Sequence, residues 1–139
     1  MKKITLSIIA IVMALTCVFG FSACGQTPEQ KLESYIESDS VKEQIDEQLS
    51  AFESLLDVDV RAEGTKVIYD FTYKNQISDS EFDTIKENID SSQSLLATTY
   101  ESFANKIKNE LGINDVSIVI NYNNADGTKI TSMEFHAAK

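Results

Sequence analysis

The stretch that decides the fold is residues 56–73, LDVDVRAEGTKVIYDFTY. Apolar side chains occupy every second position in two runs, 56–62 and 67–73, and polar or charged side chains fill nearly all the positions between them. Such alternation is typical of half-buried β-strands. Gly64 lies between the runs and supplies the positive φ that a tight turn requires. The stretch therefore predicts a β-hairpin with one apolar face.

A second hairpin is predicted at residues 115–135, DVSIVINYNNADGTKITSMEF. Its turn, ADGTKI at 125–130, resembles AEGTKV at 62–67 in the first hairpin. The likeness indicates either an internal αββ repeat, spanning 29–74 and 78–136, or the same turn chemistry used twice. The apolar phase of the two return strands differs, and a β-bulge would absorb that difference.

A helical segment precedes each hairpin. The first begins with a capping box at residues 27–30, where Pro follows the capping Thr, and its apolar stripe breaks near 38–40. The second begins at Ser78, is expected to kink within 90–94 and ends at Gly112. Together these elements predict an α+β fold in which two helix–hairpin (αββ) units form a four-stranded antiparallel sheet with the helices packed on one face.

The N-terminal residues have the pattern of a bacterial lipoprotein signal. Two lysines precede a long uncharged run that ends in Phe21-Ser22-Ala23-Cys24-Gly25, which fits a lipobox. We predict that residues 1–23 are a lipoprotein signal peptide and that Cys24 is lipidated through a thioether to diacylglycerol, whose two acyl chains suffice for stable anchoring. Residues 24–28 would be the lipidated cysteine and a short tether, and residues 29–139 a single α+β domain.

Two alternatives to this lipidation site stay open. The apolar run approaches membrane-spanning length, so it could be a retained anchor helix, and Cys24 could be an unmodified cysteine after an ordinary signal peptide. Cys17 lies within the predicted signal, so no disulfide is expected. The lipoprotein prediction places the domain outside the cell, anchored to the outer face of the bacterial cytoplasmic membrane.

Composition argues against nucleic acid as a partner. The chain has 12 basic and 22 acidic residues, a net charge of −10. Removing residues 1–23 takes away two lysines and no acidic residue, so the remaining chain carries −12. Nucleic acid and anionic head groups are bound by basic patches, and the sequence has no cluster of Lys or Arg with aromatic residues. Membrane contact is therefore expected only through the diacylglyceryl group.

Three features together resemble a known family. They are the lipobox, the acidic helix beginning near Leu32-Glu33-Ser34-Tyr35-Ile36, and the block NYNNADGTKI at residues 121–130. The combination is similar to small lipoproteins of gut Firmicutes that are built around a single domain of unknown function. The resemblance covers most of the mature chain and implies the extracytoplasmic location and the fold. It implies no activity, substrate or catalytic residue.

The sequence offers no catalytic constellation, and we predict that the protein is not an enzyme and uses no metal or cofactor. The single histidine, His136, falls at the tail of the last predicted strand, where an exposed residue is expected. Residues 121–127 fail as a calcium loop, because the register puts Tyr122 and Met133 where acidic ligands are needed.

Three carboxylates on the first predicted hairpin form a candidate site. Asp57, Asp59 and Asp70 could converge into a cation site or an acid pair, since alternate strand residues share a face. The expected arrangement is a solvated outer face with Arg61 as a local counter-ion.

The aromatic stripe of Tyr69, Phe71 and Tyr73 is expected to form core beneath the helices, the alternative being the lining of a ligand groove. The opposite face would then offer a polar and β-branched docking surface. Its predicted residues are Ile68, Asp70, Thr72, Ser117 and Val119.

These observations predict a lipid-anchored extracytoplasmic domain that is a non-enzymatic binding or accessory module at the cell envelope. It would dock an envelope protein through the open sheet face or, by β-augmentation, through an edge strand. The alternatives are a lipoprotein that captures a small ligand or peptide, and a carboxylate-dependent hydrolase of envelope glycans. The ligand-binding residues and the oligomeric state stay unknown from sequence.

Overall fold

A computed structural model describes residues 27–138 of the chain. The predicted signal peptide, residues 1–23, and the predicted lipidation site, Cys24, lie outside the described residues. The elements in chain order are α1 (Pro28–Glu37), α2 (Asp39–Leu49), a 3-10 turn (Ser50–Phe52), β1 (Leu56–Glu63), β2 (Lys66–Tyr73), α3 (Asp79–Ser91), α4 (Gln93–Leu111), β3 (Ser117–Asn123) and β4 (Lys129–His136). None of the helices in this part of the chain is both long and apolar enough to cross a membrane.

The α+β class and the four-stranded sheet are confirmed, but the prediction of a purely antiparallel sheet is wrong. The strand order is β1-β2-β3-β4. Each hairpin is antiparallel, whereas β2 and β3, which join the two hairpins, are parallel. The reason is the connection between them. α3 and α4 carry the chain from the end of β2 back to the end of the sheet where β2 began, so β3 must run in the same direction.

The helix breaks follow the predicted positions. α1 ends at Ser38, whose backbone N–H and hydroxyl both bond to the carbonyl oxygen of Tyr35, and α3 gives way to α4 at Ser92. The capping box of Thr27 and Gln30 is present in both directions. Thr27 is thus the N-cap of α1 and Pro28 is its first residue, as the sequence predicts.

The core lies between the helices and one face of the sheet. The alternate residues of β2 from Val67 to Tyr73 are buried, and the aromatic stripe is core, as expected. The rings stack in pairs: the centroids of Tyr69 and Phe71 are 6.2 Å apart, and those of Phe71 and Tyr122 are 5.4 Å apart. All five tyrosines of the chain are buried in this layer.

The second hairpin contains the predicted irregularity. The pairing of β3 with β4 shifts between Tyr122 and Asn123, where Thr131 and Lys129 are the partners and Ile130 is skipped. Because of this shift, both Ile130 and Met133 are buried although they lie an odd number of residues apart. The bulge therefore explains why the apolar residues of β4 alternate differently from those of β2. Both halves have the order helix, helix, hairpin; their origin by duplication stays a prediction.

The side chain of Asn124 connects the second turn to the loop after β2 through hydrogen bonds. Its side chain accepts from the backbone N–H of Ile77 (2.8 Å) and of Ala125 (2.9 Å), and it donates to the carbonyl of Ile77 (3.1 Å). Asn124 is only 3% exposed. The parallel pair of strands therefore ends in a buried polar clasp, in which one side chain satisfies both backbone groups of Ile77.

Candidate functional site

The edge strand β1 is less completely covered than its neighbour. Its side chains at Val58, Val60 and Ala62 point towards the helices but are only half-buried, whereas the alternate residues of β2 on the same face are fully buried. α1 packs over β1, and the helical structure is interrupted at Ser38 before α2 begins. A strip of apolar surface along β1 is left open as a result.

The backbone of β1 is also unpaired along its outer edge. Lys74 N–H donates to the carbonyl of Leu55 at 3.0 Å, so these two residues form a hydrogen-bonded pair. Such pairs alternate along an antiparallel ladder, so the odd-numbered residues of β1 direct their backbone groups towards β2. The even-numbered residues, which include Val58, Val60 and Ala62, point theirs outward. No other strand of the described chain pairs with this edge.

A groove follows the open strip along β1 and consists of two adjoining hollows. One has a volume of about 470 Å³ and lies between α1, α2 and the C-terminal half of the strand. The other, about 320 Å³, extends towards the start of the strand and shares Asp46, Leu49 and Val58 with the first. The apolar lining of the larger hollow comprises Ile36, Ile45, Leu49, Val58, Val60 and Ala62.

The charged residues around the groove are mainly acidic. Lys42 and Lys74 contribute two positive charges, and Lys74 lies 3.8 Å from Asp57. Arg61 also lines the larger hollow, but its guanidinium group forms ion pairs with Asp59 and Asp70 on the opposite face of the sheet. The exposed acidic residues are Glu33, Glu37, Asp46, Glu53 and Asp57. The groove is therefore apolar along its floor and negative at its margin.

The opposite face of the sheet carries a row of polar side chains that crosses all four strands. Arg61 on β1 binds Asp59 (3.2 Å) and also Asp70 on β2. Asn121 on β3 donates to Asp70 (2.8 Å) and accepts from the hydroxyl of Ser132 on β4 (2.8 Å). The prediction of a solvated face with Arg61 as counter-ion is confirmed. Burial raises the pKa of Asp70, but the hydrogen bonds from Arg61 and Asn121 outweigh burial and hold that pKa below its ordinary value.

A second polar group surrounds Glu134 on the same face. Glu134 accepts from Lys66 and from the hydroxyl of Ser117, both at 3.0 Å, and Lys66 is the main cause that lowers the pKa of Glu134. His136 is exposed, as predicted, with its Nε2 3.9 Å from Glu134. Ile68 and Val119 lie between the two polar groups, on the face where they were predicted. Ile68 and Ser117 are buried, however, so they offer little surface to a partner.

The carboxylates and the second turn do not assemble into a metal site. Asp57 forms an ion pair with Lys74 and does not join Asp59 and Asp70 in a metal-binding cluster. In the turn, Asp126 accepts from the backbone N–H of Thr128 at 2.9 Å. Within residues 27–138 no three His, Cys, Asp or Glu side chains are grouped so that they could hold a metal ion.

The groove along β1 is the feature that the sequence analysis missed. Alternation identifies which face of a strand is apolar, but it does not indicate how far a helix extends over that face. One signal was available: β1 carries Asp57, Asp59 and Glu63 on its polar face, and charged residues are typical of an edge strand.

Comparison with known proteins identifies the family of the domain. No curated protein sequence matches the chain. Among solved structures, the crystal structure of a candidate secreted protein from Pseudomonas aeruginosa is similar, with 14% sequence identity, a TM-score of 0.47, and coverage of 79% of this chain and 93% of that one. Residues 32–135 match the model of a family described as a domain of unknown function (DUF4854). The match spans most of the chain and of the described domain, and the chain therefore belongs to the DUF4854 family.

Proposed function

We propose that the protein is a lipid-anchored, non-enzymatic binding module that holds another envelope protein at the outer face of the bacterial cytoplasmic membrane. The anchor rests on the lipobox that ends in Cys24 and on the resemblance to small Firmicute lipoproteins. The observation that carries the binding role is the groove along β1, where an unpaired strand edge borders an open apolar floor.

The state of the carboxylates supports binding rather than acid–base chemistry. A general acid needs a carboxyl group that keeps its proton near neutral pH, which requires a raised pKa. Asp70 and Glu134, two carboxylates of the open sheet face, have lowered pKa values because cationic and hydrogen-bonding partners stabilise their charged forms. These groups therefore stabilise the sheet as ion pairs and are poorly suited to donate a proton.

Cross-linking mass spectrometry on intact cells tests the proposal. Cells that produce the native chain are compared with cells that produce Cys24→Ala, and labelling with a fatty-acid analogue reports the lipid in both. The proposal expects label on the native chain alone, and one envelope protein cross-linked in near-stoichiometric yield only when the anchor is present. Well-anchored native protein without a specific cross-linked partner would refute the binding role, and unlabelled native protein would refute the anchor.

A further inference from the structure

We propose that the groove along β1 binds an extended segment of the partner protein as a fifth strand of the sheet, and that this segment alternates apolar with basic residues. The inference rests on the proposed binding function and specifies the site and the chemistry of the partner. Both follow from what β1 presents on its edge and on its two faces.

The main chain of the partner segment would pair with the outward backbone groups of β1. The even-numbered residues from Leu56 to Ala62 offer these groups, and the described chain supplies no strand to satisfy them. At about 3.3 Å per residue, this edge is roughly 23 Å long and matches a segment of about seven residues. Addition of a strand to an exposed sheet edge is a recurrent mode of peptide recognition.

The two faces of β1 determine the side chains of the segment. Residues of an added strand that point to the helix side would enter the groove beside Val58 and Val60, on an apolar floor. Residues that point the other way would lie across from Asp57, Asp59, Arg61 and Glu63. This row has a net charge of −2, and Arg61 lies 3.2 Å from Asp59 and 3.7 Å from Glu63. Opposite charges on directly facing strand residues are stabilising. The segment therefore places small or β-branched apolar residues in one phase and Lys or Arg in the other.

The same charges disfavour a second copy of this chain as the occupant. Asp57, Asp59 and Glu63 outnumber Arg61 in this row, so pairing of two β1 edges would bring two rows of net charge −2 together, and like charges that face each other across strands are destabilising. Acidic residues on an edge strand are a common protection against self-pairing. At this edge the excess of acidic residues disfavours pairing with a second copy and favours a basic segment.

Binding of a synthetic probe to the protein purified from membranes in detergent tests the inference. The probe is a capped peptide of about nine residues in which Lys alternates with Val, a length slightly greater than the edge. Two matched peptides serve as controls. One replaces every Lys by Glu, and the other carries an N-methyl group on every residue, so that neither of its edges can donate hydrogen bonds to β1. We expect binding of the Lys–Val probe, and at least tenfold weaker binding of both controls.

Two variants of the protein locate the site. Val60→Pro removes an outward N–H without removing a bond to β2, which an edge strand tolerates, and should weaken binding of the Lys–Val probe at least tenfold. Asp57→Asn combined with Asp59→Asn should weaken it about fivefold to tenfold, since each facing charge pair contributes modestly. Glu87→Gln combined with Glu101→Gln removes the same charge from exposed positions on α3 and α4 and should leave binding unchanged.

Several results would overturn the inference. Equal binding of the N-methylated peptide would exclude strand addition, equal binding of the Glu–Val peptide would exclude charge recognition, and a native dimer that Val60→Pro converts to a monomer would show that a second copy occupies the edge. The N-methylated control keeps the test valid if Val60→Pro does not fold. A partner cross-linked in cells through the open sheet face would end this inference and leave the binding function intact.

Discussion

Replacing Asn124 by alanine should destabilise the domain by about 3 kcal/mol, because its side chain makes three hydrogen bonds in a buried site. Each bond contributes about 1 kcal/mol on average, and the backbone N–H and C=O of Ile77 would be left without these partners. A loss of this size corresponds to a fall in Tm of roughly 10–15 °C for a domain of about 110 residues.

Urea denaturation of the purified protein, followed by circular dichroism and by tyrosine fluorescence, measures this change. The chain has no tryptophan, and its five tyrosines are all buried in the core, so their emission reports the packed state. Asn124→Asp separates the contributions, because a carboxylate still accepts from the N–H of Ile77 but cannot donate to its carbonyl. We expect Asn124→Asp to be at least as destabilising at neutral pH, since it also sets a negative charge against that carbonyl.

The control is Asn75→Ala, an exposed position in the same loop. Its effect should stay within about 0.5 kcal/mol, as for most surface substitutions. If Asn124→Ala changed the free energy of unfolding by no more than Asn75→Ala, the clasp would contribute nothing to stability and the reasoning would be refuted. An unchanged m-value in both variants would show that the comparison concerns the same folded and unfolded states.

Three further predictions use the same denaturation assay. Tyr69→Phe should be neutral or stabilise the domain by up to about 1 kcal/mol, because the buried hydroxyl of Tyr69 has no hydrogen-bond partner among the described groups; a loss above 1 kcal/mol would contradict this. Asp70→Asn should cost about 1 kcal/mol at pH 7 and progressively less as the pH falls below 3.8, because the lowered pKa of Asp70 stabilises the fold above its ordinary value and that contribution is lost as the pH falls through the folded pKa. An equal loss at pH 7 and at low pH would exclude the ion pair as its source. Gly112→Ala should cost about 1 kcal/mol, because Gly112 has φ of +66° at the end of α4 and no steric clash adds to the strain; an unchanged midpoint would refute it.

Much of the fold was accessible from sequence because its signals are local. Alternation at residues 56–73 and the glycine at position 64, which has φ of +60° in the structure, define the first hairpin without reference to the rest of the chain. The breaks at Ser38 and Ser92 likewise follow from interruptions of the apolar stripes. Such features depend on neighbours within a few residues.

The remaining features depend on how distant elements meet. Alternation cannot tell whether two hairpins join through parallel or antiparallel strands, and here the helical crossover decides it. The role of Asn124 was hidden because its partner, Ile77, lies 47 residues away. The groove depends on how far α1 extends over β1, which is a property of packing and not of either element. The sequence therefore predicted a turn that includes residues 125–127 but gave no indication of the contacts that Asn124 makes.

The parallel pairing of β2 with β3 also sets an order in time for a chain that is made from its N-terminus. Each residue of β2 pairs with the residue 51 positions later in the sequence. At a synthesis rate of about 5–20 residues per second, β2 is complete for roughly 3–10 s before its second neighbour exists. During that interval β2 is itself an edge, and the aromatic side chains of Tyr69 and Phe71 lack half of the layer that later encloses them. α1 and α2 are already synthesised when β2 is complete and can shield this half-sheet at once, whereas α3 and α4 follow in the interval before the second hairpin arrives.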